Sequence, residues 1–220
     1  MVDLSESSRK YMDTYINSFD KVAGQLQGGD ILVVISIDSQ STTDPLMPIN
    51  AAIPVFEAKN SLGQTTDSPL LVQKYKQEYT AGLDALKKEL SGSFRSFVIE
   101  PSIGSRAKNT EIIGALTVAE SIFSSYKKNE NALLIMSDMI QDSRDLNLSR
   151  SKITDSRTSM IIQTEKDRGS FPHFDNTRAY CIAASALDSD RYFQLKAFWL
   201  RYFAEAGAEV TFYGDTLITF

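Results

Sequence analysis

The chain has 220 residues, with 23 basic and 28 acidic side chains and a formal net charge of −5. That length suits one α/β domain spanning residues 1–220, with a sizeable core that needs no covalent staples. The acidic balance argues against nucleic acid and against an anionic membrane surface as the main partner, because both call for a basic footprint.

Residues 8–27 read as a helix, with Met12, Ile16, Phe19, Val22, Ala23 and Leu26 recurring at three- and four-residue steps and Gly28-Gly29 ending it. Ile31 to Ile37 form one apolar, β-branched run, which predicts a continuous strand buried on both faces and central in a parallel sheet. A polar loop with Pro45 and Pro48 follows. Residues 51–56 read as a short strand that Pro54 confines to an edge. After a second loop over 60–68, Ser68-Pro69 predicts a helix start. Leu71, Tyr75, Tyr79, Leu83, Leu86 and Leu90 continue as one stripe to about residue 90. Phe97-Val98-Ile99 reads as a strand or a helical remnant. Residues 110–126 are helical, and Leu133 to Met136 are a second buried strand that ends at Ser137-Asp138. Residues 141–176 are mostly polar, with a short apolar piece at Met160-Ile161-Ile162. Residues 179–185 are a third buried strand. Ser189 is placed to cap a helix over 190–206 that Gly207 terminates, and 210–212 and 217–220 read as closing strand material.

Strands alternating with helices predict an α/β fold with a mostly parallel sheet. The lone Cys181 lies in the third strand and reads as a small core residue, so neither an intramolecular disulfide nor a cysteine cage is available. The lone His173 lies in a loop, and no G-x-S-x-G nucleophile motif is present. No apolar run reaches the ~18 residues of a membrane span, and no signal peptide is visible. The expectation is therefore a cytoplasmic protein without a membrane span. Only Met1 and Val2 precede Asp3, so the first strand is either short or continued by residues upstream, where a targeting signal would have room.

Three places carry small oxygen-bearing side chains at strand ends or helix starts. They are Asp3-Leu4-Ser5-Glu6-Ser7, a D-x-S-x-S pattern before the first helix, then Thr110, then Asp138 after the second buried strand. Such ends converge on the crevice outside the carboxyl edge of an open α/β sheet. Two carboxylates and three hydroxyls there suit a hard divalent cation such as Mg²⁺, which keeps several of its own waters. The plain alternative is that Ser5, Ser7 and Thr110 cap helices and Asp138 caps a turn.

With Asn109-Thr110-Glu111-Ile112-Ile113-Gly114-Ala115-Leu116 and Leu134-Ile135-Met136-Ser137-Asp138 in that order, the chain resembles the von Willebrand factor A domain family, of bacterial type. The resemblance covers essentially the whole chain and extends to the final helix around Phe198-Trp199-Leu200. It implies a Rossmann-like, doubly wound, mostly parallel central sheet flanked by helices, with one antiparallel edge strand. It also implies a metal-ion-dependent adhesion site in which Ser5, Ser7 and Thr110 offer oxygens to Mg²⁺ (or Mn²⁺ or Ca²⁺) directly, while Asp3 and Asp138 act through water. Asp38, in Ile37-Asp38-Ser39-Gln40-Ser41, imitates the motif with Gln40 in place of a serine and reads as a rim residue or a loop cap. Asp142 follows Asp138 in a polar loop and is a second rim candidate, or part of a solvated face.

The function implied is non-catalytic, a protein-interaction module whose cation accepts a Glu or Asp from a partner. The alternatives are an adaptor or structural protein with an empty site, and a metal-assisted phosphohydrolase, which needs a base that only Asp38 or Asp142 is placed to supply. The aromatics Tyr192, Phe193, Phe198, Trp199, Tyr202 and Phe203 are expected to be mostly core, with any surplus forming a docking patch.

Overall fold

The computed structural model describes residues 1–59, 63–100, 109–126, 130–184 and 188–217. In chain order it contains β1 (Val2–Asp3), a 3₁₀ turn (Glu6–Tyr11), α1 (Met12–Gln25), β2 (Ile31–Val34), β3 (Ser36–Ile37), β4 (Ile49–Ala52) and α2 (Pro69–Ile99). Then follow α3 (Ile112–Ser124), β5 (Asn131–Met136), α4 (Asp155–Asp167), β6 (Thr177–Ile182), α5 (Ser189–Ala206) and β7 (Ala208–Gly214). Strands β3, β1, β5, β6 and β7 form a five-stranded parallel sheet in that order, and β2 pairs antiparallel with β4.

Buried side chains divide between the two faces of the sheet. On one face Val2, Met136, Tyr180 and Ile182 meet Phe19 and Val22 of α1 and Phe94 and Val98 of α2. On the other, Ile37, Ile135, Ala179 and Cys181 meet α3, Ile161 and Ile162 of α4, and the inner face of α5. Helices on both faces of a parallel sheet make the fold Rossmann-like, as the alternating elements predict. Among the described residues no helix is long and apolar enough to cross a membrane.

Several elements differ from the sequence reading. The run 31–37 is not one central strand. Ser36 and Ile37 pair with Val2 and Asp3, whereas Ile31–Val34 pair antiparallel with Ile49–Ala52 and are mostly half-buried. The cause is the length of β1, which offers a parallel partner to two residues only. The edge strand itself is Ile49–Ala52, so Pro54 lies beyond it.

Helix α2 runs to Ile99, not to about 90. Phe94, Phe97 and Val98 extend its buried stripe, and the Phe94 ring stacks on Phe19 with centroids 4.0 Å apart. The polar stretch 141–176 contains α4, a helix that Thr154 caps by accepting from the Arg157 N–H at 3.3 Å. Its two-residue apolar face was too narrow to show as a stripe. Helix α5 is capped by Asp188 rather than Ser189, with the Arg191 N–H donating to its carboxylate at 2.8 Å. Gly207 closes that helix in the left-handed region, at φ 86°. At the end of α1 the chain needs Gly28, because a Cβ there would stand 2.5 Å from the Tyr79 hydroxyl and 2.8 Å from the Pro54 carbonyl oxygen. Leu217 is buried but not in a strand, and residues 218–220 lie outside the described residues.

Candidate metal centre

The predicted convergence begins with register. Val2 is level with both Ser36 and Met136, so β1 lies between β3 and β5 and delivers Asp3 and Asp138 to the same carboxyl edge. Both aspartates are buried. The Asp3 carboxylate is held by three donors: the Ser5 N–H at 2.9 Å on Oδ1, and the Ser8 and Ser137 hydroxyls at 2.9 and 2.8 Å on Oδ2. Asp138 Oδ1 accepts from the Ile140 N–H at 3.0 Å. The Ser5 and Ser7 hydroxyl oxygens are 3.2 Å apart.

Burial pushes the Asp3 carboxyl up from the ordinary carboxylate range, against the pull of its donors. Burial, reinforced by the negative charge of Asp3, pushes Asp138 up to about 6. Two desolvated carboxylates, with Asp3 raising the proton affinity of Asp138, form a site that positive charge would relieve.

Thr110 is tied by its backbone to Asp142, in the loop that follows Asp138. Its N–H donates to the Asp142 carbonyl at 3.0 Å, and its carbonyl accepts the Asp142 N–H at 2.9 Å. Gln141, fully buried, fastens the join. Its Oε1 accepts from the Ile112 and Ile113 N–H groups at 2.7 and 3.2 Å, and its Nε2 donates to Glu111 at 3.0 Å. The start of α3 is thus docked onto the loop that follows Asp138. From the other side, Thr42 packs on Gly114, where an added Cβ would stand 2.7 Å from the Thr42 methyl carbon.

The capping alternative meets this geometry unevenly. Ser5 stands at the start of the 3₁₀ turn but makes no side-chain cap bond. The N-terminal amides of α3 are capped by Gln141, not by Thr110. Asp138 does close a turn, through Ile140.

Of the two rim candidates, Asp38 is buried at the end of β3. Its carboxylate accepts from the Ser36 hydroxyl at 2.7 Å and the Gln40 N–H at 2.8 Å, which favours loop capping. Asp142 accepts from the Asn147 amide and serves the site through the backbone bridge that holds Thr110.

Four residues at the site were not singled out from the sequence: Ser8, Ser137, Gln141 and Met139. Ser137 adjoins Asp138, and Ser8 directly follows the D-x-S-x-S run, so proximity to the motif was the available signal. Met139 adopts φ 64°, unusual for a side chain of its size, and its carbonyl accepts the Trp199 indole N–H at 2.8 Å. Trp199 is fully buried, in line with the core expected of the aromatics of this helix.

Among the described residues no three His, Cys, Asp or Glu side chains come together. A cation at this edge would therefore rest on two carboxylates and neutral hydroxyls. His173 precedes β6, at the opposite end of the strands, and pairs with Asp175 at 2.9 Å on the surface. Cys181 is enclosed in the sheet, where burial pushes its thiol up. Neither stands where a nucleophile or base would serve Asp3 and Asp138. Comparison of the chain with protein-family models, with curated proteins and with solved structures finds no match.

Proposed function

We propose that the protein is a divalent-cation-dependent protein-binding module of the von Willebrand factor A type. Ser5, Ser7 and Thr110 would give hydroxyl oxygens to Mg²⁺, with Mn²⁺ or Ca²⁺ as substitutes, while Asp3 and Asp138 would act through bound water. The observation that carries this reading is the pair of buried carboxylates, Asp3 and Asp138, at the ends of adjacent parallel strands with the Ser5 and Ser7 hydroxyls beside them. The donor set suits a hard cation, since it is all oxygen. It brings two negative charges and leaves coordination positions to water. One such position is where a partner's Glu or Asp would bind, adding the anionic ligand that the chain does not provide.

The test is retention of proteins from a cell extract on the immobilised chain, with Mg²⁺ and with chelator, beside the Asp3→Asn variant. The reading requires a species held only with Mg²⁺ and lost in the variant. Binding that survives both chelation and the substitution would point instead to an adaptor that keeps the fold without using the site.

A further inference from the structure

The segment between β5 and α4 and the start of α5 enclose a second feature, independent of the metal reading. Arg157 Nη1 donates to the Ser151 carbonyl oxygen at 3.1 Å, and Arg191 Nη1 donates to the same oxygen at 2.7 Å. Arg157 adds bonds to the Lys152 and Asn147 carbonyls, both at 3.2 Å. Two guanidiniums therefore adjoin, and the acceptors of both side chains among the described residues are neutral carbonyls. The Arg191 Nη2 atom is buried and, among the described residues, has no acceptor. Arg150 and Lys152 flank Ser151 in the chain. Among the described residues none of these four cations is paired with a carboxylate. A buried guanidinium nitrogen without an acceptor, beside a second positive charge, is a destabilising arrangement that an anion would relieve.

A cavity of about 350 Å³ opens beside them, lined by Arg150, Lys152, Arg191 and Gln194. Gln194 is fixed in orientation, because its Oε1 accepts from the Ile153 N–H at 3.0 Å. Its amide NH₂ group remains as a pair of donors. Asp188 and Asp190 line the same cavity, and Asp188 is engaged as the helix cap by the Arg191 N–H at 2.8 Å. The lining thus sets three cations against two carboxylates, and Arg157 on the shared Ser151 carbonyl adds a fourth cation. Two carboxylates at the cavity would repel the flanking charges of a long polyanion, so they favour one compact anion. The volume is at the small end of small-molecule pockets, about 300–1,000 Å³.

We propose that this cavity binds the doubly charged phosphate group of a small molecule, seated on Arg191 with Gln194 and Lys152 beside it. A phosphate presents pairs of oxygens that match the guanidinium fork, and its two charges offset those of Arg157 and Arg191. A carboxylate brings one charge and one pair of oxygens, which leaves one guanidinium uncompensated.

The probes are inorganic phosphate and glycerol phosphate, titrated calorimetrically into the 220-residue chain in metal-free buffer, where the Asp3 edge holds no cation. Acetate at equal ionic strength and a phosphoserine peptide are the comparisons. The expected result is one site per chain, with affinity lowered about tenfold or more in Arg191→Gln and unchanged in Lys74→Gln, which removes an exposed cation on α2. Acetate should bind at least about tenfold more weakly than phosphate. In the parent chain, phosphate should shift the Gln194 side-chain amide resonances in a ¹H–¹⁵N spectrum, which locates the anion without any substitution and so holds even if Arg191→Gln fails to fold. No saturable binding up to about 20 mM phosphate, an unshifted Gln194 amide, or full affinity in folded Arg191→Gln overturns the proposal. Acetate binding as tightly as phosphate overturns the choice of anion. A phosphoserine peptide that binds more tightly than glycerol phosphate overturns the small-molecule source.

Discussion

The chemistry of the site rests on single residues whose surroundings set their proton affinity. Asp138 is pushed up to about 6 by burial and by the charge of Asp3. Between the ordinary aspartate range and that value the folded chain holds more protons than the unfolded one. The stability contributed by this group is therefore present at low pH and lost as pH rises toward 6. In chelator, the stability difference between Asp138→Asn and the parent should grow in favour of the variant between about pH 4 and pH 6.5. The gain should be on the order of 2–3 kcal/mol, read by urea unfolding. Added Mg²⁺ should reverse it for the parent above pH 6. Asp3 calls for the same conservative substitution. Removing its carboxylate altogether strands the Ser5 N–H and the Ser8 and Ser137 hydroxyls, each a loss of about 1–3 kcal/mol in a buried place. Trp199 has two separable roles. Trp199→Ala should cost about 3–5 kcal/mol, whereas Trp199→Phe keeps most of the packing and loses the bond to the Met139 carbonyl, about 1 kcal/mol plus the smaller volume.

Among the elements, α2 shows most clearly that length and anchorage differ. Its carboxyl half is buried through Leu90, Phe94, Phe97 and Val98, while Leu70 and Leu71 near its start are exposed. Phe94→Ala should lower stability by about 3–5 kcal/mol, and Leu70→Ser should stay within about 0.5 kcal/mol, both measured by thermal or urea unfolding. The sequence made β5, β6, α1, α3 and α5 legible because their apolar residues recur with the period of the element and face a core. It hid α4, whose buried face is little more than Ile161 and Ile162. It also presented 31–37 as one strand, because composition records apolar character and not which neighbour each residue finds. The break after Val34 follows from what pairs on either side, antiparallel β4 for one part and β1 for the other. Of the aromatics of α5, Phe198, Trp199, Tyr202 and Phe203 are core, Tyr192 is half-buried and Phe193 is exposed.

At the scale of the whole molecule, the parallel sheet brings the segments 3–8, 38–44 and 138–142 to its carboxyl edge, and the start of α3 joins the last of them. Asp3, Ser5, Ser7 and Asp138 were legible there because their spacing places them at strand ends, and order along the chain then fixes the edge. The supports were not legible. Gln141 capping α3, the Thr110–Asp142 bridge and the Trp199–Met139 bond each join residues far apart in the chain, and no local pattern announces them. The central claim is that this edge holds one divalent cation. It is tested most directly by titrating Mn²⁺ into the chain and following free Mn²⁺ by electron paramagnetic resonance. Mn²⁺ should bind more tightly than Mg²⁺ to an all-oxygen site. The account predicts one Mn²⁺ per chain, displaced by excess Mg²⁺, and loss of that binding in Asp3→Asn and in Asp138→Asn while both variants remain folded. No uptake by the parent chain, or uptake unchanged in the two variants, would contradict it.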